Sequence, residues 1–267
     1  MPTKTARSAK SAKSDSKLEM IQQCSLFRDL SLAELAQVIE PSELIVEKLY
    51  SNRPVYTAYR PGMTLQFLYI ILGGGPVIVR SSPLDRVIAI HYPQGCFGFE
   101  SLPFGFGAVS RRFPSLVEAY KTTDVLKVPA QSIQRFYECS ESFRDRYNLL
   151  FELREKFEYH LLNCSAYPPQ AIAALLRSLI YQERELGNQP NSSNIYTFDL
   201  SVDIMARASQ LNNRTVEQVL KGMEQNGLIA LGRVKDMSGD TLQVLDPEGM
   251  KEVYSTTRDK VSWWPLK

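Results

Sequence analysis

The sequence predicts an α+β chain: an N-terminal antiparallel β-barrel or jelly roll, a long helix, and a compact C-terminal part of short helices with a β-hairpin. Three observations predict it. Between about Leu44 and Val128, short β-branched and aromatic runs alternate with Gly- and Pro-rich turns, the pattern of many short antiparallel strands. From Ser142 to about Ala166, Phe143, Tyr147, Leu150, Phe157, Leu161 and Cys164 fall mostly at alternating four- and three-residue steps, one apolar seam along one helix. From Ser201 to Gly227, apolar residues keep helical spacing on both sides of a polar break, which reads as two helices around a tight turn.

Length and composition suit this division. A chain of 267 residues, 44% hydrophobic and 22% charged, is ordinary globular material for two modest domains. No apolar run approaches the roughly 20 residues of a membrane helix, so no membrane association and a cytoplasmic location are expected. The start, residues 1–17, holds Lys4, Arg7, Lys10, Lys13 and Lys17 against Asp15, with no aliphatic cluster. It reads as a disordered basic tail, a solvated end with a weak non-specific DNA contact as the functional option. Scarce acidic residues also fit a transit peptide, but the lack of apolar residues argues against an amphipathic presequence. Cys24, Cys96, Cys139 and Cys164 have no CxxC or Cys/His ligand spacing, so zinc and iron–sulfur sites are not expected and reduced thiols are.

The elements follow in order. Leu18–Asp29 and Ser31–Glu40 read as short helices, Ser31 and Glu34 forming a capping box. Strands run through Phe67–Leu72, Val77–Val79 and Val87–Ile90, bounded by Arg60-Pro61-Gly62, Gly73-Gly74-Gly75-Pro76, Ser81-Ser82-Pro83 and Pro93-Gln94-Gly95. Gln131–Ser140 is a helix, and Ser142–Ala166 is the long one, with Arg154 the polar member of its seam. That seam wants a partner, either the chain's own barrel or a second copy. After Pro168-Pro169 another helix runs from Ala171 to Leu186 and stops at Gly187. Tyr196–Phe198 is a strand, and Leu228–Val244, holding Gly232 and Ser238-Gly239-Asp240, reads as a hairpin wing. The expected domains are therefore a tail over 1–17, a barrel with flanking helices over 18–141, the long helix over 142–166, the helix-turn-helix part over 167–250, and a tail over 251–267. Trp263-Trp264-Pro265 falls in no predicted element.

The segment Ser201–Gly227 carries the chemistry. Ile204, Met205 and Ala208 form one buried face of its first helix; Val216, Val219, Leu220 and Met223 form that of the second. Asn212 is the expected N-cap of the second helix, and Leu211 the buried residue of the turn. This is a helix-turn-helix, which presents the first turns of its second helix to the DNA major groove. Asn213, Arg214, Gln218 and Lys221 would then face outward, all able to donate hydrogen bonds to base edges or phosphates. The bland alternative is a helical hairpin packed into some other core. Charge supports DNA only modestly: Arg207, Arg214, Lys221, Arg233 and Lys235 stand against Asp203, Glu217 and Glu224. Glu217 and Glu224 read as a solvated face.

The ordered set resembles the CRP/FNR family of bacterial transcription regulators over roughly residues 24–250. The likeness rests on Tyr59-Arg60-Pro61-Gly62 with Phe67–Gly74, on Gly95-Cys96-Phe97-Gly98-Phe99-Glu100, and on Val117–Val128. It continues in Arg214-Thr215-Val216, Leu220-Lys221 and Asn226-Gly227-Leu228-Ile229. Kinase regulatory subunits and ion channels carry similar barrels but lack the helix-turn-helix. The resemblance implies a non-enzymatic homodimer on a pseudo-palindromic site, with DNA, a second copy and RNA polymerase as partners. It places DNA contacts at Ser201, Asn212, Asn213, Arg214, Thr215, Gln218 and Lys221, with Ser201, the cap of the first helix, offering its hydroxyl and the helix N-terminus to phosphate. It places dimerisation at Phe143, Tyr147, Leu150, Phe157 and Leu161, and couples the barrel's state to the DNA heads through the long helix.

The departures bear on the ligand. Cyclic-nucleotide binders of the family hold the phosphate with an Arg-Ser/Thr pair, because a buried phosphate needs a cation and convergent donors. Here Phe99 precedes Glu100 where glycine is expected, and Phe113-Pro114 takes the Arg-Ser place. Arg111 and Arg112 reach it only after a register shift of two. No cofactor is expected: Phe97, Phe99, Phe104, Phe106 and Phe113 suggest a pocket filled by its own aromatics or shaped for a more apolar effector. His91 and His160 are each a single histidine, read as structural rather than as haem ligands. The alternative function is a non-catalytic barrel protein that acts through protein partners with weak or no DNA binding, argued from the balanced charge of the second helix. Activation and repression are both open.

Overall fold

The computed structural model describes residues 16–51, 53, 55–56, 66–81, 85–99, 102, 115–162, 167–232, 241–255 and 261–265. The chain divides into two units, residues 1–85 with 90–152 and residues 86–89 with 153–267.

The first unit begins with helix α1 over residues 16–22, followed by turns to residue 30. The expected helix to Asp29 therefore stops early. Helix α2, Leu32–Val38, has the capping box: Ser31 Oγ accepts the Glu34 N–H at 3.2 Å and the Glu34 carboxylate accepts the Ser31 N–H at 2.8 Å. Eight strands follow: β1 Ile45–Leu49, β2 Val55–Tyr56, β3 Phe67–Gly73, β4 Val77–Ser81, β5 Arg86–His91, β6 Cys96–Phe97, β7 Ser115–Ala119 and β8 Thr123–Pro129. They form two four-stranded sheets, ordered β1-β8-β3-β6 and β2-β7-β4-β5. The expected antiparallel jelly-roll architecture is thus present as two sheets, and Leu68, Ile70, Val77, Val79, Leu126 and Val128 lie in their core. At the turn between β3 and β4, Gly74 has φ +92°, and a Cβ there would lie 2.9 Å from Thr123 Cα. Only glycine fits so close an approach. Cys24 and Cys96 are buried free thiols hydrogen-bonded to each other.

Helix α3, Ala130–Cys139, and helix α4, Glu141–Leu162, break at Ser140, whose Oγ accepts the Phe143 N–H at 3.3 Å. Aromatic residues fix the first half of α4 to the first unit. Phe143 lies 5.3 Å, ring to ring, from both Phe27 and Phe136. The Tyr147 hydroxyl donates to the Phe99 carbonyl at 2.9 Å, and Phe151 meets Phe99 edge-on at 5.0 Å. Arg146 pairs with Asp29 and donates to the Ser25 carbonyl. Phe143, Tyr147, Leu150 and Phe157 are all buried within their own chain, and Leu161 is half-buried. Burial of such large apolar surfaces is favourable in itself.

In the second unit, helix α5, Pro168–Leu186, opens with two prolines and ends at Gly187, φ +68°. There the Gly187 N–H donates to Arg184 O and the Asn188 N–H to Glu183 O, both at 3.0 Å, a Schellman closure. Strand β9 Tyr196–Asp199, helices α6 Val202–Ser209 and α7 Asn213–Gln225, strands β10 Ile229–Gly232 and β11 Thr241–Val244, and helix α8 Pro247–Ser255 complete it. The three strands form one antiparallel sheet, β10-β11-β9. Helix α8, which runs into the expected tail over 251–267, packs along α5: Gln170 donates to the Tyr254 carbonyl at 2.7 Å and Arg177 lies 4.8 Å over the Tyr254 ring. Among the described residues no helix is long and apolar enough to cross a membrane.

His160 on α4 shares a 3.0 Å hydrogen bond with the Tyr254 hydroxyl. Burial, then the positive charge of Arg177, holds its pKa below the usual histidine value, so its neutral form stabilises the fold. That contribution is present above about pH 6.5 and is lost as pH falls toward the lower folded value. His160 should titrate below 6.5 by NMR, and urea midpoints should fall with acidification less steeply in H160N than in the wild type. A midpoint at or above 6.5 would contradict this.

Candidate nucleic-acid interface

The second unit builds this site from the apolar stripe of α7. Val216, Val219, Leu220 and Met223 are buried, and the period of 3.6 residues turns the opposite side outward. Asn213, Arg214, Glu217, Gln218 and Lys221 are exposed there, and Thr215 is half-exposed at the edge. Among the described residues, the side chains of Asn213, Arg214, Gln218 and Lys221 make no hydrogen bond or ion pair. Their donors point to solvent. Arg207, on α6, faces Asp203 at 3.7 Å.

The turn before α7 is closed by backbone geometry. Gln210 takes a left-handed conformation, φ 58° and ψ 32°, its N–H donating to the Ala206 carbonyl. The Leu211 N–H reaches the same carbonyl at 3.0 Å, and Leu211 is half-buried. Asn212 then caps α7, its side-chain oxygen accepting the Thr215 N–H at 2.8 Å. This satisfies one orphan donor and leaves the positive end of the helix dipole beside Asn213 and Arg214.

Ser201 caps α6, as expected. It is buried, and its Oγ accepts the Ile204 N–H at 3.3 Å. The hydroxyl serves here as the acceptor that caps α6. Glu224 is not simply solvated: its carboxylate accepts the Leu231 N–H of β10 at 3.2 Å. With the Gly227 N–H to Glu224 O and the Leu228 N–H to Met223 O, both at 3.0 Å, this fixes α7 to the wing strand. The Glu224 contact does not follow from residue spacing, because it depends on where the hairpin folds back. Arg233, Lys235 and Ser238–Asp240 lie outside the described residues.

Of the effector-pocket residues, Glu100, Arg111, Arg112 and Phe113 lie outside the described residues, as do Phe104 and Phe106. Phe99 is fully buried, with its ring against Phe151, Tyr147 and His91. Phe97 stacks on Tyr69 at 4.9 Å. Both rings are spent in the core. Among the described residues no cluster of three or more His, Cys, Asp or Glu could hold a metal.

Strand order, the long helix and the winged helix-turn-helix invite comparison with solved structures. FixK2 from Bradyrhizobium japonicum aligns over 80% of this chain and 99% of its own, with TM-score 0.57 and 13% identity. A variant of CooA from Carboxydothermus hydrogenoformans aligns over 80% and 89%, with TM-score 0.53 and 17% identity. TTHB099, a CRP-family transcriptional regulator from Thermus thermophilus, aligns over 78% and 96%, with TM-score 0.49 and 18% identity. The chain shares its fold with FixK2 and CooA. No protein-family model and no curated protein sequence matches the chain.

Gln210 supplies a stability test. A non-glycine residue in the left-handed region costs about 1–2 kcal/mol, offset in part by the extra unfolded-state freedom of glycine. Q210G should therefore raise stability by about 0.5–1 kcal/mol, seen as a higher urea midpoint with an unchanged m-value. A lower midpoint would mean that the Gln210 side chain contributes more than its backbone costs.

Proposed function

We propose that this chain is a sequence-specific DNA-binding transcription regulator of the CRP/FNR type, working as a homodimer on a pseudo-palindromic site. The observation that carries this reading is the exposed polar face at the start of α7, its donors directed to solvent on a winged helix-turn-helix scaffold. In a major groove, Arg214 would read guanine through two hydrogen bonds and Asn213 adenine, with Gln218 one turn further on. Lys221 and Thr215 would hold the sugar–phosphate backbone. Two such heads around a two-fold axis fit half-sites about one helical turn apart.

Pairing of copies falls to the side of α4 that its own chain leaves exposed, where Asp145, Glu152 and Tyr159 lie, since the Phe143–Phe157 side is used internally. The chain acts by binding rather than by catalysis, in the cytoplasm. The packing of Phe99 against Tyr147 and Phe151 favours a barrel without the family's usual cyclic-nucleotide site.

Selection of duplexes from genomic fragments by the purified protein tests this directly. Affinity for the selected duplex should fall linearly with salt on a logarithmic scale, as phosphate neutralisation requires. Absence of any selected sequence would overturn the reading. R214A should lose about 1–3 kcal/mol and relax preference at one base position. K221A should weaken binding to all duplexes alike and flatten the salt dependence. An R214A loss equal on every duplex would contradict base reading by Arg214.

A further inference from the structure

Gly222 sits in the third turn of α7, where glycine costs about 1 kcal/mol relative to alanine. It is buried and follows Gln218 by one turn, so it borders the exposed face. The reason for glycine is Trp263. A Cβ at position 222 would lie 2.7 Å from Trp263 Cζ3 and closer still to Cε3, inside any real carbon–carbon contact. The indole therefore rests directly on the helix backbone.

The segment that carries Trp263 is tied down. The Val261 N–H donates to the Tyr167 hydroxyl at 3.0 Å, and Tyr167 is the N-cap of α5. The Trp264 N–H closes a turn onto the Val261 carbonyl at 3.2 Å, and the Trp264 ring meets Trp263 edge-on at 6.5 Å. On the same helix, Asn226 Nδ2 donates to the Gly222 carbonyl at 2.8 Å. The backbone at Gly222 is thus held from the side by an indole that is itself anchored to the start of α5.

We propose that Trp263 is a positioning residue for DNA reading: seated on Gly222, it sets the attitude of α7, and with it the aim of Arg214 and Gln218. The proposal rests on the DNA-reading role of α7. An aromatic plate with few rotatable bonds suits this task, because it holds a helix without losing much conformational freedom of its own. Reading of base edges depends on angle, so a small tilt of α7 weakens hydrogen bonds at its first turns while leaving the fold intact.

The test uses the full chain and a duplex selected by the wild-type protein, at a temperature where every variant is folded. W263A should bind that duplex about tenfold more weakly, the loss of one base contact, and discriminate less among its single-base variants. G222A should do the same, although alanine improves helix propensity. The double variant should be no weaker than either single one, because both remove the same seat. The two tryptophans of the chain are Trp263 and Trp264, so in a W264F background the emission reports Trp263 alone, and it should shift red in G222A. Should G222A not fold, W263A and W263F carry the comparison. Unchanged affinity and base preference in W263A, whatever its melting temperature, would overturn the proposal, as would losses that multiply in the double variant. If the wild-type protein selects no duplex, the DNA-reading role itself falls and this proposal with it.

Discussion

Burial of Val216, Val219, Leu220 and Met223 against the rest of the second unit orders everything on the opposite side of α7. Each such side chain contributes about 1.5–3 kcal/mol when removed from water, an upper range for any one residue. No exposed charge on the helix contributes as much. The apolar stripe therefore sets the rotation of the helix, and the polar residues take whatever direction is left. For Asn213, Arg214, Gln218 and Lys221 that direction is solvent. The N-cap at Asn212 and the Schellman closure at Gly227 then fix where the helix starts and stops, so its rotation and its length have separate causes.

The first unit obeys the same logic with aromatic residues. Phe27, Phe136, Phe143, Tyr147, Phe99 and Phe151 form a continuous series of ring contacts. Periodicity shows that α4 has an apolar side but does not say what covers it. The alternation of four- and three-residue steps is equally suited to a partner helix and to a sheet-bound core. The hydroxyl of Tyr147 on the Phe99 carbonyl and the ion pair of Arg146 with Asp29 join segments far apart in sequence, and such pairings leave no local trace.

Much of the fold was legible in the residues. The strands at Phe67–Gly73, Val77–Ser81 and Arg86–His91, the capping box at Ser31, the stop at Gly187 and the helix-turn-helix all have local causes: β-branched runs, caps and periodicity. The exposed face of α7 was legible for the same reason. What escaped was tertiary. The left-handed Gln210 escaped because glycine is the usual signal there. Helix α8 and the segment around Trp263 escaped because their partners, Tyr254 with Gln170 and Trp263 with Gly222, lie tens of residues away. Gly222 was the one readable hint, an unexplained glycine inside a periodic helix.

The bond from Glu224 to the Leu231 N–H ties helix and hairpin into one piece. Whatever the helix reads and whatever the hairpin touches are then held at a set interval, like the jaws of a locked caliper. On the proposed DNA-reading role, such a head would gauge spacing as well as chemistry: a duplex with one base pair too many between the two contacts would itself have to bend or twist to be gripped.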